Sequence, residues 1–544
     1  MSELDLIYVR QQKHQKMNNG TYPLAMPGLK IQSVLDIKNL LEISNKIIPD
    51  SLDLSVLKEF HNNLNLDTFI LSGRIFSFRK SGAIAFLGLK DQTGAIQLIA
   101  LKKIYEKFSD LENLDVGDIV QIEGYICKSK TGEFSICLIS LNLLTKCQKP
   151  LPEKWSGLSD IDTKYRNRYL DMIASDESKA IIMARSIILQ SLRSHLDSRG
   201  FVEVETSTLN VVNSGANAKP FITHHNSLDQ DMFLRVAPEL SLKKLVVGGL
   251  DRVYEIGRCY RNEGLSTRHN PEFTMLEFYE AYSNFENLIQ NTINLFLNIN
   301  YAFERKCKAN YFLSMCYFDR WSKERTFSLK KEDFKIITME EAVNNAVEKA
   351  KINFIPTDDG RIKYIFQETS LQEALERQSK INLEFLNKEF SDIEFNSDNE
   401  GKMLSVAFEH IAEPFFIEDY RTEDNIFSCP VIITDHPKQI SPLARAKNSN
   451  PTRCDRFELY IDGMEIANGF QELNDPVEQE TRFKEQLESN KKDPMDLDIN
   501  YIDALKYGLP PTCGMGAGID RILQLFTCSK SIKDVIAFPA MKKI

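Results

Sequence analysis

The stretch VYEIGRCYRNEGLSTRHNPEFTMLEFYEAY, Val253 to Tyr282, reads as two alternating segments joined by a polar loop. Strand side chains alternate with period two. Phe273, Met275, Glu277 and Tyr279 therefore fall on one face of the return segment, and an aromatic platform shares a wall with a carboxylate. Arg261 closes the outgoing segment, where a guanidinium fork suits a phosphate or a carboxylate. The loop adds Glu263, Arg268 and His269. Charged loops are common on surfaces, but an Arg/Glu/Arg/His/Phe set on one hairpin is not, and it suggests an adenylate-forming site.

Two later segments extend this picture. GLPPTCGMGAGIDRILQLF alternates Gly514, Gly516 and Gly518 just before a helix whose first turn holds Arg521. Glycines there let backbone approach a ligand, and the arginine suits a phosphate. The spacing is GxGxG, not GxGxxG, and LPPTC is a poor central strand, so a dinucleotide fold is not indicated. RFELYIDGMEIANGFQELNDP gathers Glu458, Glu465, Asn468, Phe470 and Glu472 on strand-like alternation. Glu458 and Glu465 are spaced to hold Mg²⁺ against ATP phosphates, because magnesium takes few protein oxygens beside phosphate and water. Each acid alone is ordinary surface. Glu239, Glu277 and Glu472 together make a pocket that wants a cationic substrate.

Outward from these motifs, Thr68 to about Leu144 carries five short strand patterns separated by turn signals, the signature of a small OB-fold barrel. Phe86, Gln97 and Glu133 are candidates to stack on and read single-stranded bases, although a barrel phenylalanine is by default core. Residues 1–66 form an N-terminal extension whose Arg10, Lys13 and Lys16 lie three apart, either a basic face for RNA or a solvated helix face. The barrel occupies 67–148, and a linker with prolines at 150 and 152 runs over 149–175. A helix is expected from Asp176, after Ser175, to Gly200, with Ile181, Ile188, Leu192 and Leu196 on its apolar face. It opens a second domain over 176–544, whose middle, about 300–425, carries no motif.

Composition bounds the rest. At 544 residues with 42% apolar content the chain is globular and divides into at least two domains. The net charge of −10 excludes nonspecific coating of nucleic acid, so any RNA contact must use local patches. Ten cysteines without CxxC and eight histidines without HxxxH indicate neither zinc nor a disulfide framework. No run approaches the roughly 18 apolar residues of a membrane span, and a cytoplasmic location is expected.

GRCYRNEGLSTRHNPEFTMLEFYEAY, ELYIDGMEIANGFQELND and GLPPTCGMGAGIDR together resemble class II lysyl-tRNA synthetases, as do GANAKPFITHHNSLDQDMFLRVAPELSLKKLVVGG and ISPLARAK. The likeness covers roughly 65–300 and 400–544. It implies an α+β chain, with a five-stranded OB-fold that binds the anticodon and a class II antiparallel sheet flanked by helices. It further implies a ligase that forms lysyl-adenylate from L-lysine and ATP and loads the 3′-terminal adenosine of tRNA(Lys), as a homodimer using Mg²⁺ and no zinc. Phe273 would stack the adenine, Glu263 hold its amino group, and Arg261 grip the α-phosphate and the substrate carboxylate. Arg268, His269, Asn270 and Arg521 would complete the ATP site, with Glu458 and Glu465 as magnesium ligands. The lysine pocket would comprise Gly215, Glu239, Arg261, Glu277, Tyr279, Asn468, Phe470 and Glu472. Arg79, Phe86, Gln97 and Glu133 would read the anticodon.

The chain departs from the family pattern at Ser207, where a proline is usual, at Ser214, where a glycine is usual, and at Lys219, where arginine is common. The nearest rival, an aspartyl- or asparaginyl-tRNA synthetase, would need a cation in the pocket where this chain offers acids. A free-standing lysine ligase would lack the barrel. A noncatalytic paralogue would have lost ATP-contact residues that stand here intact.

Overall fold

Alternating apolar residues between Phe69 and Thr145 build five strands: β1 (Phe69–Ser81), β2 (Ile84–Lys90), β3 (Ala95–Leu101), β4 (Ile119–Lys128) and β5 (Phe134–Thr145). They close into a barrel in the order β1-β2-β3-β5-β4, as the strand spacing predicts. Inward residues such as Leu71, Ile75, Leu87, Leu98, Val120 and Ile136 are buried, each contributing about 1.5–3 kcal/mol of burial free energy. This computed structural model describes residues 3–17, 33–34, 48–49, 51–151, 160–213, 218–356, 362–366, 381–391, 399–489 and 498–543. Two units result, Met1–Asp176 with Lys308–Met315 and Glu177–Cys307 with Cys316–Ile544.

The basic residues of the N-terminal helix Glu3–Met17 act differently from either sequence expectation. Arg10 donates to the carbonyls of Cys147 and Lys149 at 3.1 and 3.0 Å, and Lys13 pairs with Asp115 at 2.7 Å. Lys146, fully buried, holds Asp115 and Asp118 from inside at 2.7 and 2.8 Å. Arg10 and Lys13 thus pin the helix to the barrel, and Lys16 stays exposed. The expected linker contains two short helices, Ile161–Arg166 and Arg168–Ala174.

The second unit is organised on an eight-stranded sheet. Its strands are β6 (Val202–Glu203), β10 (Arg252–Tyr260), β11 (Glu272–Ala281), β12 (Lys335–Thr338), β15 (Val431–Thr434), β16 (Arg456–Ile461), β17 (Met464–Gln471) and β18 (Thr512–Gly518). They run in the order β12-β15-β16-β17-β18-β11-β10-β6. The interior pairs are antiparallel, while the edge pairs β12/β15 and β6/β10 are parallel. A small sheet of β7 (Leu209–Asn210), β8 (Ile222–His225) and β9 (Gln230–Leu234), and a hairpin of β13 (Ile352–Pro356) with β14 (Ile362–Phe366), lie outside it. The helix Asp176–Ser198 buries Ile181, Ile188, Leu192 and Leu196, the face its periodicity predicts.

The motif-free middle is not a surface elaboration. β12 adds to the edge of the main sheet, and the next helix, Met339–Ala350, starts with a capping box between Thr338 and Glu341. Met339, Ala346, Leu386, Phe408, Phe416 and Ile433 share one core.

In the first unit, His61 on the helix Leu54–Asn63 is buried against Phe69 and Tyr125, with ring centroids 5.5 and 4.8 Å away. Its Nε2 accepts the Ile126 amide at 3.0 Å, so its Nδ1 donates to the Asp67 carbonyl at 3.1 Å. Burial holds the imidazole below its usual pKa, which means the folded state binds the proton less tightly than the unfolded chain. Its contribution is therefore complete above pH about 6.5 and is lost as pH falls through the depressed folded value. Hydrogen-exchange protection of β4 should fall between pH 7 and pH 5 in the wild type. His61→Gln should lower protection at pH 7 and flatten that slope; an equal slope in both proteins contradicts the assignment.

Candidate active site

A cavity of about 370 Å³, of small-ligand size, opens between β11, β17 and β18. Phe273, Met275, Glu277 and Tyr279 line it from alternate positions of β11, while Leu276 and Phe278 are buried on the opposite face. β18 supplies Gly514, Gly516 and Gly518. These glycines belong to a central strand, although the LPPTC stretch that leads into them reads as a poor one. At Gly514 a Cβ would come within 2.3 Å of the Tyr279 ring and 2.4 Å of Glu472 Oε1. The missing side chain makes room for the acid and the phenol.

At one end of the cavity stand the acids. Glu277 accepts from the Tyr279 hydroxyl at 2.9 Å, and burial followed by the charge of Glu239 pushes its pKa up to about 8. Glu239 begins the helix Glu239–Val247, and Glu472 follows β17. Burial also drives the Glu472 carboxyl upward, with Lys243 opposing. Asn468 and Phe470 complete this wall, and Asn468 Oδ1 accepts from Arg456 at 3.2 Å. Gly215 lies outside the described residues.

At the other end stand the cations. Arg261 lies 5.3 Å from the Phe273 ring centre, and its Nε is buried without a hydrogen-bond partner, a donor awaiting an anion. Arg521, on the helix Ile519–Phe526, donates to the Glu465 carbonyl at 2.7 Å and to His269 Nε2 at 3.1 Å. Burial, then the charge of Arg521, lowers the His269 pKa and favours this neutral acceptor form. Glu263 and Arg268 are exposed on the loop, and Arg268 reaches the Gly463 carbonyl at 3.1 Å. Asn270 holds the start of β11 through the Glu272 carbonyl at 2.6 Å, leaving its buried Oδ1 unpartnered.

Glu465 lines the cavity. Glu458, on the neighbouring strand, does not line it and is held by Arg456 at 2.6 Å and Tyr460 at 2.9 Å. Burial and then Glu458 push the Glu465 carboxyl upward. Burial, then Glu465 and Glu458, push Glu413 to about 7. Glu413, Glu458 and Glu465 thus feel one another's charge, although among the described residues no three His, Cys, Asp or Glu side chains are grouped to hold a metal ion.

Several contributors carried no legible signal. Glu413 comes from the motif-free middle. Arg185 donates to Asp520 at 2.6 Å and to Thr274 Oγ1 at 2.8 Å, while the other Asp520 oxygen accepts the Thr274 amide at 2.8 Å. This clamp ties the Arg521 helix to the Phe273 strand. Lys243, fully buried among the acids, stands four residues after Glu239, a spacing from which the pair was readable.

On the barrel, register assembles a separate group. Arg79 opposes Phe86 across β1/β2, Phe86 opposes Ile99 across β2/β3, and Gln97 lies two residues along on that same face. Gln97 donates to Glu133 at 2.7 Å and accepts from Ser135 at 2.9 Å. Phe86 is half-buried beside Leu57 and Ile99, outside the main barrel core.

The family described as tRNA synthetases class II (D, K and N) matches residues 160–542, and the OB-fold nucleic acid binding domain matches 69–144. A Thermoanaerobacter pseudethanolicus protein named lysine–tRNA ligase is 40% identical over 496 residues, 90% of each chain. The heat-inducible lysine–tRNA ligase of Escherichia coli K12 is 40% identical over 88% of this chain and 87% of its own. A Xylella fastidiosa lysine–tRNA ligase is 41% identical over 88% and 86%. With the barrel, the sheet and the two-ended cavity in place, these matches establish that the chain belongs to the class II tRNA synthetases of the D, K and N group.

Proposed function

We infer that the chain activates L-lysine with ATP and transfers it to tRNA(Lys). The observation that carries the choice of amino acid is the acidic end of the cavity, where Glu239, Glu277 and Glu472 converge. An aspartate side chain would meet like charge there. The relatives' names agree with this reading.

The buried, unpartnered Arg261 Nε supports a role for Arg261 where the α-phosphate and the substrate carboxylate would meet. A carboxylate oxygen of lysine attacks the α-phosphorus in line, the bond to the bridging oxygen breaks, and pyrophosphate leaves with the electron pair. No side-chain nucleophile is needed, because positioning and charge neutralisation supply the catalysis. Phe273 offers the adenine a stacking face and Glu263 accepts from its amino group. Arg268, neutral His269 and Arg521 border the outer phosphates, with Asn270 fixing the strand beneath them. Glu465 and Glu458 would hold Mg²⁺, which when bound offsets phosphate charge. The ribose hydroxyl of the terminal adenosine then takes the lysyl group and AMP leaves.

Arg79, Phe86, Gln97 and Glu133 we assign to anticodon reading in the barrel, supported by the shared face of the first three and by the Gln97–Glu133 hydrogen bond. A cytoplasmic location fits the family; among the described residues no helix is long and apolar enough to cross a membrane. Exposed Val202, Ile222 and Leu228 support a second copy of the chain docking near β6 and β8. Sedimentation at micromolar concentration should show a dimer, and Ile222→Asp should weaken it; a concentration-independent monomer contradicts the docking.

ATP–pyrophosphate exchange across the amino acids, with Mg²⁺ present, should respond to lysine alone. Arg261→Ala should lower the rate by about 100-fold or more. Exchange with aspartate or asparagine would overturn the pocket, and near-normal exchange in the variant would overturn the role of Arg261. Phe86→Ala should raise the KM for tRNA about 10-fold, as expected for one lost stacking contact, and leave exchange unchanged. Equal effects on both readouts would remove the barrel from recognition.

A further inference from the structure

The chain keeps an ammonium group of its own behind the acidic wall. Lys243 is fully buried on the helix Glu239–Val247, 2.7 Å from Glu239 Oε1 and ion-paired with Glu472 Oε2. Its Nζ lies 5.3 Å from the Phe470 ring centre and 5.9 Å from those of Tyr279 and Tyr501. Glu239, Glu472, Tyr279 and Phe470 all line the cavity, whereas Lys243 does not. The same residues therefore form both a cage around the internal ammonium and the wall offered to the substrate.

Glu472 shows how the two roles divide. Oε2 faces Lys243, while Oε1 is buried without a hydrogen-bond partner and points to the space kept clear by Gly514. A desolvated carboxylate shared between two ammonium groups can be ionised and oriented by one before the other arrives. We propose that Lys243 is the positioning residue for substrate specificity: by holding one oxygen each of Glu239 and Glu472, it fixes the wall carboxyls in place and presents Glu472 Oε1 to the incoming lysine ammonium. The proposal rests on the reading of the cavity as a lysine site.

The titratable and charged groups facing Lys243 are Glu239 on its own helix, Glu277 and Tyr279 on β11, Glu472 after β17 and Tyr501 on the helix Ile499–Lys506. Of these, Glu239 and Glu472 balance it directly. Burial drives Glu472 toward its protonated form, and Lys243 is the leading opposing charge. Removing Lys243 removes that opposition, so the carboxyl should be protonated more readily and recover its charge only as pH rises, while the substrate ammonium persists to about pH 10.

The test compares the KM for lysine and for ATP in exchange assays from pH 7 to 9, using wild type, Lys243→Met, Glu472→Gln and the double variant. Lys243→Met should raise the lysine KM about 30-fold at pH 7 and change the ATP KM by less than about threefold. The loss should shrink toward pH 9. Because Lys243 reaches the substrate chiefly through Glu472, whose Oε1 stays open, the double variant should match Glu472→Gln within about threefold. Should Lys243→Met fail to fold, that last comparison decides alone, since the double variant removes both members of the fully buried Lys243–Glu472 pair and leaves only the less buried Glu239 without its partner. A pH-independent loss, an equal rise in both KM values, or a further tenfold rise in the double variant would overturn the proposal. Absence of lysine exchange in the wild type would instead overturn the cavity reading itself, and the proposal with it.

Discussion

Three carboxyl groups at one end of a cavity, two of them buried, are the constraint to which the rest of the catalytic unit answers. Desolvated negative charge is costly unless a cation or a network of donors meets it. Lys243 and the Tyr279 hydroxyl supply part of that compensation and leave Glu472 Oε1 open. The opposite end reverses the sign, with Arg261 and Arg521 facing the space. A small molecule with an ammonium at one end and a polyphosphate at the other relieves both ends together, which a substrate and ATP do only side by side.

Holding such a polarised cavity open requires a rigid frame. Antiparallel register on β11 sends four side chains to the cavity and packs the alternate ones into the core, so the wall cannot move without the sheet. The glycines of β18 clear the floor. Asp520, held by Arg185 and by the Thr274 amide, fixes the Arg521 helix against the Phe273 strand. Misplacement by an ångström between the Arg521 helix and the Phe273 strand would disturb the relative placement of the groups on the cavity wall. The anticodon candidates obey similar logic in their own unit, where strand register alone brings Arg79, Phe86 and Gln97 to one face.

The middle of the chain shows why absence of a motif is weak evidence. From about residue 300 to 425 the sequence offers charged, phenylalanine-rich helices without a chemical signature, yet it adds β12 to the sheet, builds a shared core and brings Glu413 within the field of Glu458 and Glu465. Its Thr338–Glu341 capping box was readable as a helix start. The direction in which that helix would face was not, because that depends on long-range packing.

Local rules decided a good deal from sequence alone. Period-two alternation marked the barrel strands and the β11 wall; the apolar spacing after Ser175 marked the long helix; the number of acids near the motifs indicated a cationic substrate. These are properties of neighbouring residues and survive without knowledge of the fold. What only the tertiary structure decided was partnership. Arg10 and Lys13 read as a basic or solvated helix face and became a clamp, LPPTC read as a poor central strand and leads into one, and Lys243, which carried no motif, became a buried counter-cation. Charge and backbone groups acquire meaning from whatever desolvates or pairs with them, and those partners lie far away in sequence, except Glu239, whose side chain becomes part of the cage only once β11, Glu472 and the helix Ile499–Lys506 close around it.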